Sequence, residues 1–339
     1  MPTAENAIVY YEAGQEYQAM AALTDSGDRK KFEADADLWS DRSGYSPVVR
    51  PNGLATGGLV TPPASGSNDV VDIAALTAYL GGELKSVDAS SDESVTRATT
   101  DTHIINSITI TAAGAIAVVA GSEGTAFSET RGAAGGPPWI DNDAVEIAQV
   151  RLSAQAAAPV TADEILQVVG VHCERYDYPT WEVKFCRVEN LILGNAGVLF
   201  NSALAGIHSE DAGTTVAGKQ VFAEYYEPIF AELPNAQDFV PPAESHSVSS
   251  QQVYGGTIAS SSKSLGQGSF TAFFKDGVTD ALLSSEGAKL WFKFKPDRLK
   301  SAYILCQGIL GVSLSFPAGD NISGACTISP ESKKEGVSG

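Results

Sequence analysis

Along the last third of the chain, apolar and polar side chains alternate in short runs punctuated by Gly, Pro, Asp and Ser, the pattern of half-buried strands. Residues 290–295 place Leu290, Phe292 and Phe294 on one face, and Pro296-Asp297 closes the run. That face is expected to enter a core together with Leu282 and Leu283. Residues 269–274 read as a strand. After the Asp276-Gly277 turn signal, residues 278–285 are expected to form a helical turn or two. The long apolar run 302–316 contains Gly308 and Gly311, which point to a bulge or bend, and residues 325–329 supply a last strand.

Upstream the periodicity is less regular. Residues 25–42 are dense in both signs of charge, with only Phe32, Leu38 and Trp39 as large apolar anchors, and read as an arm or surface helix. Residues 53–68, rich in Gly, Pro, Ser and Thr, read as loop. Residues 72–79 are expected to be a short helix, and 86–102 a polar stretch. Residues 108–110 and 115–119 predict a hairpin turning at Ala113-Gly114. Residues 121–138 are a second Gly-rich loop. Residues 145–152 read as a strand with a bulge, carrying Val145, Ile147 and Gln149 on one side and Val150 and Leu152 on the other.

A weak internal repeat organises these pieces. In the first half that strand precedes a helix start at 160–166, with Thr161 as N-cap and Glu164 at the capping-box position. Residues 181–185, including Trp181, and the glycine-bearing run 194–200 follow. The second half repeats the order with 270–274, 278–283, 291–294 and 308–316. Between the halves, residues 234–250 contain Pro234, Pro241 and Pro242 and read as a linker. The expected fold is mainly β with short helices (α+β): two β-sandwich or barrel modules in tandem, each with a flanking helix. The expected division is 1–60 as arm and loop, 61–235 as the first module and 236–339 as the second.

Composition narrows the function classes. The chain has 339 residues and 43% hydrophobic content, enough for real cores. Its 41 acidic against 22 basic residues leave a net charge of −19, which argues against a broad grip on nucleic-acid phosphates. The largest apolar run, 112–120, is about half of what a bilayer span requires. The amino terminus carries Glu5, Glu12 and Glu16 where a signal peptide would be basic, so a soluble protein kept in a cytoplasm is expected. Cys173, Cys186, Cys306 and Cys326 form no close pair in sequence and read as small buried hydrophobes under reducing conditions.

Several stretches carry a family resemblance: Gln267-Gly268-Ser269-Phe270-Thr271-Ala272, Leu290-Trp291-Phe292-Lys293-Phe294, Tyr303 to Gly311, and Phe316-Pro317-Ala318-Gly319-Asp320-Asn321. Upstream, Arg131 to Ile140 and Phe239 to Ser250 carry it too. From about Asn52 onward the chain resembles the major tail proteins, the tail-tube subunits of long-tailed bacteriophages with non-contractile tails. The resemblance implies a structural virion protein of the tail, assembled in the host cytoplasm. Six modules surround the lumen of each ring in that family. Two modules per chain would make the ring a trimer with pseudo-six-fold symmetry, one module a hexamer, and rings stack. Implied partners are other copies of the chain, the tape measure protein, the tail terminator and distal tail proteins, and DNA in transit; no membrane is implied.

Candidate chemistry is sparse, and no catalytic, cofactor-binding or metal residue is assigned. Residues 53–58 lack the Gly-Lys-Ser/Thr ending of a phosphate loop. His172 and Cys173, with Cys186 thirteen residues on, lack the paired spacing of a zinc site. Asp141, Asn142, Asp143 and Glu146 offer oxygens for a hard cation without the EF-hand pattern. His103, His208 and His246 lie far apart, and no Gly-x-Ser-x-Gly elbow is present. The serines at 260–264 read as a flexible polar loop suited to bridging stacked rings. Trp291 and Phe294 read as core and not as a base-stacking platform. Two other classes stay open at this point: a capsid decoration or tail-fibre protein binding a glycan, and a virion-borne hydrolase.

Overall fold

The structure is a computed structural model that describes residues 6–25, 27, 30–34, 39, 42, 44–178, 183–185, 197–200, 204, 210–211, 215–216, 219–254, 256–331 and 334–337. Over the described residues it is mainly β, with 55% strand and 2% helix, and the expected helices at 160–166 and 278–285 are reduced to single 3-10 turns.

The largest assembly is a nine-stranded antiparallel sheet. Its strands run in the order Ala236–Val240, Gly268–Phe273, Ser323–Pro330, Tyr303–Ser315, Lys289–Lys295, Ile8–Ala22, Val221–Leu233 and Val48–Pro51, with Glu335–Val337 added beside Tyr303–Ser315. The predicted face holds. Leu290 and Phe292 are fully buried and Phe294 partly so, in one core with Leu282, Phe270, Leu310 and Ile328. Leu283 lies outside that core. Across the sheet Phe239 of the edge strand stacks on Phe294, with ring centroids 4.6 Å apart, so the sheet curls over its own core. No closed barrel results, contrary to the barrel expectation.

The expected arm is the sheet's middle. Ile8 to Tyr11 pair with Lys295 to Phe292 on one side, and Val9 to Ala22 pair with Leu233 to Phe222 on the other. Register shifts at Glu12/Gly14 and Gln18/Ala21 break its alternation, which hid it from periodicity. Glu12 at the first shift is fully buried; its carboxylate accepts from the Trp291 N–H (3.1 Å) and lies 3.7 Å from the Arg42 guanidinium. Phe32 and Trp39 are buried anchors as expected, but Lys31–Glu33 is a strand against Gly197–Phe200. Leu38 lies outside the described residues.

A second core, spanning Leu54 to Cys173, is built from three small sheets. Here the expected loop 53–68 contains the strands Gly53–Gly57 and Val60–Thr61, and the expected helix 72–79 is two strands, Val70–Ile73 and Leu76–Leu80. Gly57, at φ 71°, shows why: a Cβ there would come 2.1 Å from the Ala75 carbonyl oxygen, so the residue is needed for a close strand pairing. The hairpin Ile104–Ile110/Ile116–Ala120 turns where predicted, with Gly114 at φ 82°. Pairing of Val145–Leu152 slips at Ile147, as a bulge, so Val145, Ile147, Val150 and Leu152 all reach the core. Glu146, Gln149 and Arg151 point the other way, which corrects the placing of Gln149 with Val145.

The halves of the expected repeat differ in their elements and in their pairings: a strand, Ile165–Leu166, follows the turn in the first half and has no counterpart in the second. Val145–Leu152 and Val183–Phe185 belong to separate sheets, whereas Gly268–Phe273 and Lys289–Lys295 share one. Trp181 and residues 194–196 lie outside the described residues. At 160–166 a 3-10 turn, Ala162–Glu164, with the Glu164 carboxylate accepting from the Thr161 N–H (2.8 Å) and hydroxyl (3.0 Å), leads into that short strand, Ile165–Leu166, which pairs with Val145–Leu152. At 278–285 there is one turn, Leu283–Ser285. The preceding N–H groups of Val278 and Thr279 are taken by Asp276 and that of Gly277 by Asp280, so loop competes successfully with helix. Tyr303–Ser315 has no bulge. Gly308 instead permits close strand approach, since a Cβ would lie 2.6 Å from the Ser329 carbonyl oxygen. Strand pairing crosses the expected boundaries at 60 and 235, because one sheet draws on residues 8–22, 48–51, 221–240 and 268–337.

Candidate assembly surface

The expected linker 234–250 is an edge strand of the large sheet, Ala236–Val240, followed by one half of a ribbon whose other half holds the expected serine loop. Glu244–Val253 and Gly256–Leu265 pair in ten registered steps as a two-stranded ribbon, roughly 33 Å long at about 3.3 Å per residue. It continues the pairing of Ala236–Val240 with Gly268–Phe273. Its base is fixed where the Gly266 N–H donates to the Ala243 carbonyl (2.8 Å) and where Gly268 leaves no room for a Cβ beside Pro242.

Serine hydroxyls close cross-strand pairs down one face: Ser245 with Ser264 (2.7 Å), Ser247 with Ser262 (2.6 Å) and Ser249 with Ser260 (2.7 Å). Toward the tip the apolar residues are Val253, Tyr254 and Ile258, all exposed, Tyr254 completely. Residues 247–262 carry no charged side chain, in a chain of net charge −19.

Beside the ribbon's root strand the curled sheet leaves an open seam. Between the start of Ile8–Ala22, the turn after Val221–Leu233 and the end of Lys289–Lys295 lies a cavity of 490 Å³. Ile8, Val9, Phe239 and Phe294 give it apolar walls. Its polar lining includes Asn235, Gln237, Glu232, Asp238 and Arg298.

A buried polar centre lies on the second core's sheet. Arg131, from the Gly-rich loop, donates to Glu146 (2.7 Å) and to the Pro138 carbonyl. Ser107 and Gln149 also donate to Glu146, and Gln149 Oε1 meets His172 Nδ1 at 3.1 Å. Burial pushes the Glu146 carboxyl upward against the opposing pull of Arg131, and burial lowers His172. Every group has a structural partner, so the centre clamps the loop onto the sheet. Its signal in sequence is nil, since Arg131 and Glu146 meet only through the fold.

The other candidates are dispersed. Asp141 caps a turn through its carbonyl to the Ala144 N–H (3.0 Å), while Glu146 faces Arg131, so the carboxylates do not converge. Cys173 is buried, its thiol pushed up by burial to about 11; Cys306 and Cys326 are likewise buried, pushed to about 12. Cys186 and His208 lie outside the described residues. His103 packs edge-on to Phe127, and His246 sits on the ribbon opposite Lys263. Trp291 is buried against Leu305. Among the described residues no group of three or more His, Cys, Asp or Glu could hold a metal ion, and no helix is long and apolar enough to cross a membrane. No protein-family model matches the chain, and no curated protein matches its sequence.

Proposed function

We propose that this protein is the repeating subunit of a phage tail tube, forming rings that stack into the conduit for DNA ejection. The observation that carries the reading is the ribbon: a two-stranded arm, exposed from 245 to 264 and without charge from 247 to 262, rooted in a curled open sheet on an otherwise strongly acidic chain. Isolated two-stranded ribbons are at best marginally stable in water. This one gains support once a neighbouring subunit covers it. The sheet also ends in the edge strands Ala236–Val240 and Val48–Pro51, which have no further strand beside them among the described residues and whose outer backbone groups invite pairing around a ring.

Rings of three chains, each supplying two modules in tandem, fit the length of the chain; six chains of one module are the alternative. Acidic side chains facing the lumen would repel the phosphate backbone, so DNA would slide without the contacts that hold it. The tape measure protein, the tail terminator and the distal tail proteins are the partners at the lumen and the tube ends, and the virion tail is the location. Negative-stain microscopy of concentrated purified protein tests this. Stacked rings are expected, and a monodisperse monomer at all concentrations would refute it. Native mass spectrometry of isolated rings then counts three chains or six.

A further inference from the structure

We infer that the tip of the ribbon is a plug, and the open seam of the curled sheet its socket, in a contact between two copies of this chain. The tip presents Val253 (42% exposed), Tyr254 and Ile258 (60% exposed) to solvent with no charged neighbour from 247 to 262. The seam is a 490 Å³ cavity whose apolar walls include Phe239 and Phe294. An aromatic ring with a polar end suits it: the walls take the ring, and Glu232, Asn235 or Asp238 at the polar lining can accept from the hydroxyl.

Charge selects the occupant. Glu232 and Asp238 outnumber Arg298 at the cavity, and the chain as a whole is acidic, so most surfaces of a second copy would meet it with like charge. An uncharged tip approaches without that cost, and this one projects from the body of the sheet. Direction selects a second copy over the chain's own tip. The ribbon runs on from the Val240 end of the seam strand, away from Asn235, and every described ribbon side chain between 245 and 264 is exposed, so the ribbon does not fold back. Plug and socket thus lie toward opposite ends of one strand pair. Such a contact is heterologous and repeats head to tail along an axis. The inference rests on the self-association in the proposed function and is independent of DNA passage.

The test replaces Tyr254→p-benzoyl-phenylalanine in the full chain, mixes light and isotope-heavy copies, irradiates assembled material and maps the cross-links. The expected result is mixed light–heavy links from position 254 to residues 7–9, 232–239, 294 or 298. The double variant Tyr254→Ser/Ile258→Ser is expected to raise the concentration needed for stacking at least tenfold while melting like the wild type. Links within one chain, links to any other region, or stacking of the double variant at the wild-type concentration would overturn the inference. Stacked wild-type tubes with links elsewhere would refute the plug alone, whereas wild-type protein that never associates would remove the tube reading and the plug together.

Discussion

Phe292 shows how much a single side chain in this sheet carries. It is fully buried, with its ring centroid 5.9 Å from that of Phe270, inside a core that joins strands from both ends of the chain. Phe292→Ala should cost about 3–5 kcal/mol, read from denaturant unfolding; melting like the wild type with intact assembly would refute the face assignment. Arg131→Ala should be comparably damaging, about 3–5 kcal/mol, because it leaves the Glu146 carboxylate buried without its cation. Adding Glu146→Gln to that variant should recover part of the loss, as the remaining partners Ser107 and Gln149 can serve a neutral amide. Glu123 offers a pH probe. Its carboxylate accepts the N–H groups of Thr99, Asp101 and Thr100, which lower it from 4.5 to about 2. The loop contacts it stabilises should therefore be complete above pH 4.5 and lost as pH falls toward 2, as followed by carboxyl NMR and amide exchange at residues 99–101. Exchange there that is independent of pH across this window, after correction for the intrinsic rate, would exclude the latch.

At the scale of elements, legibility followed burial. Residues 290–295 were readable because one face is core and the other is not, and the hairpin at Gly114 because its turn residue demands positive φ. The ribbon reads as linker plus loop in the sequence because both its faces are in water, so no period-two signal exists in Glu244–Val253 or Gly256–Leu265. No ribbon residue belongs to a hydrophobic core. Replacing residues 245–264 by a short Gly-Asn turn should accordingly leave the melting temperature within a few degrees of the wild type and abolish stacked tubes. Unaltered tubes would show that the ribbon is not the stacking element.

For the whole molecule, the charge of −19 is the property to test. If acidic side chains line the lumen of the proposed tube, replacing several of them by lysine should leave tubes intact under the microscope but slow genome ejection, most at low salt, where the Debye length is longest. Unchanged ejection at low ionic strength would assign the charge to solubility or ring contacts instead. Strand alternation and turn residues are local quantities, and they are sufficient for the β class, the hairpin at Gly114 and the buried face of Leu290, Phe292 and Phe294. Pairing partners are neither local nor additive. That Ile8–Ala22 lies between Lys289–Lys295 and Val221–Leu233, that Arg131 meets Glu146, and that the curled sheet leaves a seam beside Phe239 all depend on contacts between residues far apart in sequence. Such contacts form only where burying apolar surface outweighs the entropy of closing long loops, and no window along the chain encodes that balance.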